Sequence, residues 1–200
     1  CTGITLIPQR NPLLLAKEIA ALDFHSGGRF ILGVGTGWLR EEVELFGGDF
    51  ERRWTQTREA LEAMQACWTG DAGEYHGAFY DFPPVRVYPK PLQQPRPPII
   101  LGGHAQRVLQ RIVDHADGWL PNRISPGDLA DAIQELHKLA TAAGRDPKAL
   151  TVSVYGQEAK RDTVQAYLKA GADRVVLRPV HVETQDEMEA QLEAMAAAAM

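Results

Sequence analysis

The chain has little cysteine: two residues in 200, Cys1 and Cys67. That excludes a disulfide framework and a thiolate metal cluster, and Cys67, in a helical pattern beside Trp68, reads as a small buried hydrophobe. No apolar run approaches the roughly 20 residues a membrane span requires, and the start has no signal-peptide layout, so a cytoplasmic location without membrane attachment is expected. Positive charge is not in excess. With 21 Lys and Arg against 26 Asp and Glu, the net charge is -5 and the signs are interspersed. This excludes the basic stripe that nucleic acid would need. No Gly-Lys-Ser or Gly-Lys-Thr occurs, which rejects a P-loop, and no Gly-x-Ser-x-Gly occurs, which argues against a serine hydrolase. None of the six histidines pairs at metal-ligand spacing, and no metal is expected.

What is present is the profile of a globular domain with a real core: 44% hydrophobic and 24% charged residues. Its most pointed stretch is "RFILGVGTGWLREE", residues 29 to 42, an apolar strand running into Gly33, Gly35 and Gly37. A dinucleotide fingerprint needs its third glycine three places after the second, where strand and helix pack closely. Trp38 stands there instead. A strand opening into a side-chain-poor loop remains, suited either to backbone contact with a ligand or to an ordinary turn.

Strand and helix patterns alternate along the chain. Residues 3 to 7 are β-rich, and Asn11-Pro12 supplies a cap and a first helical residue. The helix that follows is expected to bury Leu15, Ile19 and Leu22 and to stop at Gly27-Gly28. After the strand "RFILGVG", residues 53 to 69 form a second amphipathic helix with Trp54, Leu61, Met64 and Trp68 on one stripe. "PPIILGG" reads as a buried strand, "QRVLQRIVDHA" as a helix, "DGWLP" as a short strand, and the next helix is capped by Ser125. "LTVSVYG", "TVQAYLKAGA" and "RVVLRPV" complete strand, helix, strand. Thr184 and Glu187, at capping-box spacing, open a last helix that runs to the end.

Six strands, each followed by a helix or a helix-bearing connection, imply a parallel sheet covered by helices, an α/β fold. An open doubly wound sheet and a closed (β/α)8 barrel both suit the pattern, though a barrel typically needs about 250 residues. Residues 70 to 98 interrupt the alternation with seven of the 13 prolines. There "EYHGAFYDF" predicts a hairpin around His76-Gly77, serving either to shape a site or to brace the fold.

"TGITLIPQRNPLLLAKEIAALDFHSGGRFILGVGTGWLREE", then "YPKPLQQPRPPIILGG" and "ADGWLP", resemble the luciferase-like monooxygenase superfamily, and within it the branch of oxidoreductases that use the deazaflavin coenzyme F-420. The resemblance covers residues 2 to about 180. It implies a TIM barrel that this chain enters at the third strand, an incomplete barrel without the first two βα units. Residues 1–200 then form one partial barrel domain with a proline-rich insertion at 70–98. It also implies hydride transfer between reduced F-420 and a small-molecule substrate, and a homodimer at full length. FMN is the alternative cofactor, with oxygen-dependent monooxygenation the alternative reaction. From a different class, the chain is a catalytically inactive fragment that acts only in binding or assembly.

Carried onto positions, the resemblance places coenzyme contacts at Gly3 and Ile4, joined by a non-proline cis peptide. It adds Gly35, Thr36, Gly37 and Trp38, with Trp38 as an aromatic wall, and Gly102, Gly103 and His104 around a phosphate. "IILGGH" independently sets two side-chain-free residues between a buried strand and a helix, a setting for an anion. Glu41 and Glu42 are candidates for proton transfer or, equally, first-turn acids that stabilise a helix. The family's catalytic histidine follows its second strand and has no counterpart here, so the catalytic residue is unassigned beyond Trp38, Glu41 and Glu42.

Overall fold

Asn11 starts the first long helix as its sequence predicts: its Oδ1 accepts from the N–H groups of Leu13 and Leu14 at 3.0 and 3.2 Å. In this computed structural model, residues 1–199 are described. They divide into two compact units, one ending at Ile99 and the other beginning at Ile100.

In the first unit, β1 (Thr5–Leu6) leads through a 3-10 turn at Ile7–Gln9 into α1 (Pro12–His25), β2 (Leu32–Gly35), α2 (Arg40–Leu45) and α3 (Arg53–Thr69). β1 and β2 run parallel, with Thr5 opposite Val34 and Leu6 opposite Gly35. Ile7, Leu15, Ile19, Leu32, Val34, Met64 and Trp68 form the core, and the Trp68 indole N–H donates to the Ala16 carbonyl at 2.9 Å, tying α3 to α1. The buried stripe of α1 departs from expectation at one position: Leu22 is 52% exposed and Asp23 is fully buried. The cause is distant in sequence. Asp23 Oδ2 accepts from the Gln93 backbone N–H at 2.9 Å, and Oδ1 accepts from its side-chain amide at 2.6 Å. That rotation of the buried face leaves Leu22 outside.

The expected hairpin is formed by β3 (Gly73–His76) and β4 (Asp81–Val85). Tyr75 lies opposite Phe82, and the Gly77 N–H donates to the Tyr80 carbonyl at 2.8 Å to close the turn. The hairpin is fastened to α3: Tyr75 Oη donates to Glu62 at 2.6 Å, and the buried Glu59 accepts from the Phe79 N–H at 2.8 Å. The proline-rich segment after it is held by Gln93 on Asp23 and by Lys90, whose Nζ donates to the Cys67 carbonyl at 2.7 Å. In this unit the segment braces the fold.

β5 (Ile99–Gly102) begins at the boundary. The second unit continues with α4 (Val108–His115), β6 (Gly118–Leu120), α5 (Pro126–Ala142), β7 (Thr151–Gln157), α6 (Arg161–Lys169), β8 (Arg174–Leu177) and α7 (Gln185–Ala199). β5, β6, β7 and β8 pair successively in parallel, Leu101 opposite Trp119, Trp119 opposite Val152 and Val154 opposite Val175. All of β6 is buried, as a central strand covered on both faces requires. Ser125 caps α5 by accepting from the Asp128 N–H at 3.1 Å. Thr184 and Glu187 form the expected capping box, Glu187 Oε2 accepting from the Thr184 N–H at 3.1 Å and Thr184 Oγ1 from the Glu187 N–H at 3.3 Å. Met200, the expected end of the last helix, lies outside the described residues.

Candidate functional site

In the first unit the candidate residues gather around the C-terminal half of β2. The Gly3–Ile4 peptide is cis. Ile4 flanks β2 closely: a Cβ on Gly35 would stand 3.1 Å from Ile4 Cγ2 and 3.2 Å from Leu6 Cδ2. Gly37 has φ +82°, and a Cβ there would be 2.5 Å from Val43 Cγ2. The tight turn onto α2, whose Val43 is buried, therefore accounts for Gly37 by itself. Thr36 is half-buried, while Trp38 is 82% exposed, a large aromatic side chain left in water beside two glycines. Glu41 and Glu42 occupy the first turn of α2, where a negative charge favours the helix.

In the second unit, Gly102 ends β5 opposite Leu120. Gly103 has φ +91°, and a Cβ there would meet nothing within 4 Å, so this face of the loop is open. Its carbonyl is turned away and fixed by the Trp119 indole N–H at 3.0 Å. His104 packs edge-on to Trp119, with ring centroids 6.2 Å apart, and sets Nε2 against the Asn122 carbonyl, Asn122 Oδ1 lying 3.0 Å away.

One local expectation is corrected. α4 starts at Val108, two residues later than "QRVLQRIVDHA" implies, because His104–Arg107 contains no side chain suited to an N-cap. The helix terminus is thus four residues removed from Gly103, and an anion there would rely on loop N–H groups. A simple rule identifies a residue missed in sequence: a buried tryptophan needs an acceptor for its N–H, and Trp119 finds it on the candidate loop. Asn122 carries no comparable signal, since it meets His104 across 18 positions.

Among the described residues, no group of three or more His, Cys, Asp or Glu side chains is placed to hold a metal. No described helix is long and apolar enough to cross a membrane.

The luciferase-like monooxygenase family matches residues 1–199. An uncharacterized protein of Mycobacterium tuberculosis is 37% identical over 147 residues, covering 72% of this chain and 51% of that protein. The FMNH(2)-dependent dimethylsulfone monooxygenase of Pseudomonas putida is 30% identical over 156 residues, covering 76% of this chain and 42% of that enzyme. The structure of the coenzyme F-420-dependent tetrahydromethanopterin reductase of Methanopyrus kandleri superimposes with a TM-score of 0.67 at 27% identity, covering 82% of this chain and 52% of that one. The chain spans about half the length of the curated relatives it matches. The parallel strands with their intervening helices are those of this TIM-barrel group, and the chain belongs to the luciferase-like monooxygenase family.

Proposed function

We propose that this chain is part of an oxidoreductase that transfers a hydride between reduced coenzyme F-420 and a small organic substrate. The observation that carries the reading is Trp38, 82% exposed on a glycine-lined loop at the C-terminal end of a parallel strand. Barrels of this kind bind their ligands at that end of the strands, and an exposed indole offers a planar ring a flat apolar face. Gly3, Ile4, Gly35, Thr36 and Gly37 accompany it as coenzyme contacts. In the second unit, Gly102, Gly103 and His104 are read as coenzyme contacts around a phosphate, whose charge the loop N–H groups solvate. The residues fit the group: side-chain-free loops permit close approach, and the face of Gly103 is open. When bound, the deazaflavin supplies the electron chemistry, while the chain binds and orients it and excludes water. Glu41, three positions after Trp38, is exposed and available for a substrate proton. The full-length enzyme is read as a homodimer.

The Pseudomonas putida relative favours a second reading, FMN-dependent monooxygenation. Fluorescence titration of the chain with F-420 and with FMN tests both readings, followed by oxygen uptake with reduced FMN. Tighter binding of F-420 without oxygen uptake is expected; FMN preference with uptake selects the monooxygenase, and binding of neither overturns the coenzyme reading. Gly103→Asp sets a carboxylate against the proposed phosphate and should weaken binding at least about tenfold, since one hydrogen bond to a charged group is worth roughly 1.5 to 3 kcal/mol. Unchanged affinity removes Gly103 from the site.

A further inference from the structure

We infer that Val43 is a positioning residue for Trp38. Wedged between the glycines on either side of α2, it fixes the loop that carries the indole, so the aromatic wall stands in place before a ring reaches it. The inference rests on the coenzyme reading above and names the residue through which its aromatic contact is held.

The Trp38 side chain is 82% exposed and forms no hydrogen bond or ring contact among the described residues. Where the indole stands is therefore set by the backbone on either side of it, and Val43 holds both neighbours. Before Trp38, a Cβ on Gly37 would be 2.5 Å from Val43 Cγ2, so this methyl lies against the bare face of Gly37, whose φ is +82°. After Trp38, the Leu39 carbonyl accepts from the Val43 N–H at 3.1 Å.

Val43 is itself seated firmly. It is the one buried residue of α2, with 0% exposure. Its Cγ1 faces Gly48, where a Cβ would stand 2.7 Å away, and its carbonyl accepts from the Gly48 N–H at 2.8 Å. Gly47, with φ +81°, donates to the Glu44 carbonyl at 3.0 Å and completes the left-handed end of the helix. A Cβ on Gly48 would also be 3.1 Å from Pro8 Cβ, so the turn after β1 backs the socket. On the outer face Arg40 pairs with Glu44 at 2.8 Å and with Glu51, and its guanidinium lies 4.4 Å over the Phe50 ring. A socket this close leaves no room for α2 to swing, which distinguishes it from a mobile lid. The consequence for binding is entropic: an indole on a loose loop has to be ordered when a ring docks, whereas one already in place does not.

The test is a double-mutant cycle on F-420 and FMN binding with Val43→Ala and Trp38→Ala, alongside Val43→Thr. Val43→Ala empties the socket and should weaken binding about fivefold in wild type and not at all in the Trp38→Ala background. Val43→Thr keeps the branched shape but buries a hydroxyl, so it should lower the melting temperature and leave affinity unchanged. Equal weakening by Val43→Ala in both backgrounds, no weakening in wild type, or the same weakening by Val43→Thr overturns the inference while the coenzyme reading stands. Backbone nitrogen relaxation supplies a readout that needs no ligand. The Trp38 amide should have an order parameter near about 0.85 in wild type, as in a rigid strand, and a lower one in Val43→Ala. If wild type binds neither ring, the coenzyme reading fails and this measurement decides the positioning role. A mobile Trp38 amide in wild type, below about 0.6, overturns it even where Val43→Ala does not fold, as does an order parameter that Val43→Ala leaves unchanged.

Discussion

Thr2 and Gly33 are joined by a side chain doing a backbone's work: the Thr2 hydroxyl accepts from the Gly33 N–H at 2.9 Å and donates to the Gly33 carbonyl at 3.0 Å. This fills the ladder beside β2 before β1 begins, and it brings the two backbones unusually close. A Cβ on Gly33 would stand 1.9 Å from the Thr2 carbonyl oxygen. Neither partner is a flexible side-chain end, so Gly33→Ala should cost about 3 kcal/mol or more, the upper range for overpacking. Urea denaturation of the variant checks it; a midpoint within error of wild type would show that the two backbones separate easily.

The buried Asp23 carboxylate holds the proline-rich segment through two donors of Gln93, and Gln93 also donates to the Phe30 carbonyl at 2.7 Å. Asp23→Ala leaves the part-buried Gln93 backbone N–H without its acceptor and its side-chain amide with the Phe30 carbonyl alone, a loss of about 2 kcal/mol, and Asp23→Asn, which keeps one acceptor, should lose roughly half of that. Limited proteolysis gives an independent reading. Chymotryptic cleavage after Leu92, which is 50% exposed and directly precedes Gln93, should accelerate in Asp23→Ala, and equal cleavage rates would mean that the prolines alone hold the segment.

The two cases mark what can be read from the sequence. Asn11, Ser125 and the Thr184–Glu187 pair act within a few positions of themselves, so their caps are readable, as are the strands and the hairpin at His76-Gly77. Thr2 and Asp23 act on partners 31 and 70 positions away, and no local pattern announces them. Leu22 shows the same limit: helical spacing gives a stripe, and which edge of it faces inward is decided by Gln93. At the candidate site the glycine loops are visible as composition, whereas the Trp119 and Asn122 contacts that set the Gly103–His104 loop depend on strand register.

Alkaline stability should depend on Tyr75. Burial raises the pKa of its phenol, and the hydrogen bond to the Glu62 carboxylate raises it further. A phenol that holds its proton more tightly in the folded state contributes stability in full below its unfolded pKa of about 10 and loses it as the pH rises above that value. Tyr75→Phe should therefore flatten, without abolishing, the decline in stability above about pH 10, since burial raises Tyr80 and Tyr167 as well. Denaturation midpoints across that range for both proteins decide it, and parallel curves would remove Tyr75 from the transition.

Trp38 separates a binding role from a structural one. A side chain 82% exposed contributes little packing, so Trp38→Ala should leave stability within about 0.5 kcal/mol of wild type, as surface substitutions do. If its indole walls the coenzyme ring, the same variant should bind F-420 roughly tenfold more weakly, the scale expected when an aromatic ring and the apolar area it covers are removed. Trp38→Phe should recover much of that affinity. The paired measurement is informative because the two alternatives move different quantities: a structural Trp38 lowers the melting temperature and leaves ring binding intact, whereas a ligand wall lowers affinity and leaves the melting temperature where it was.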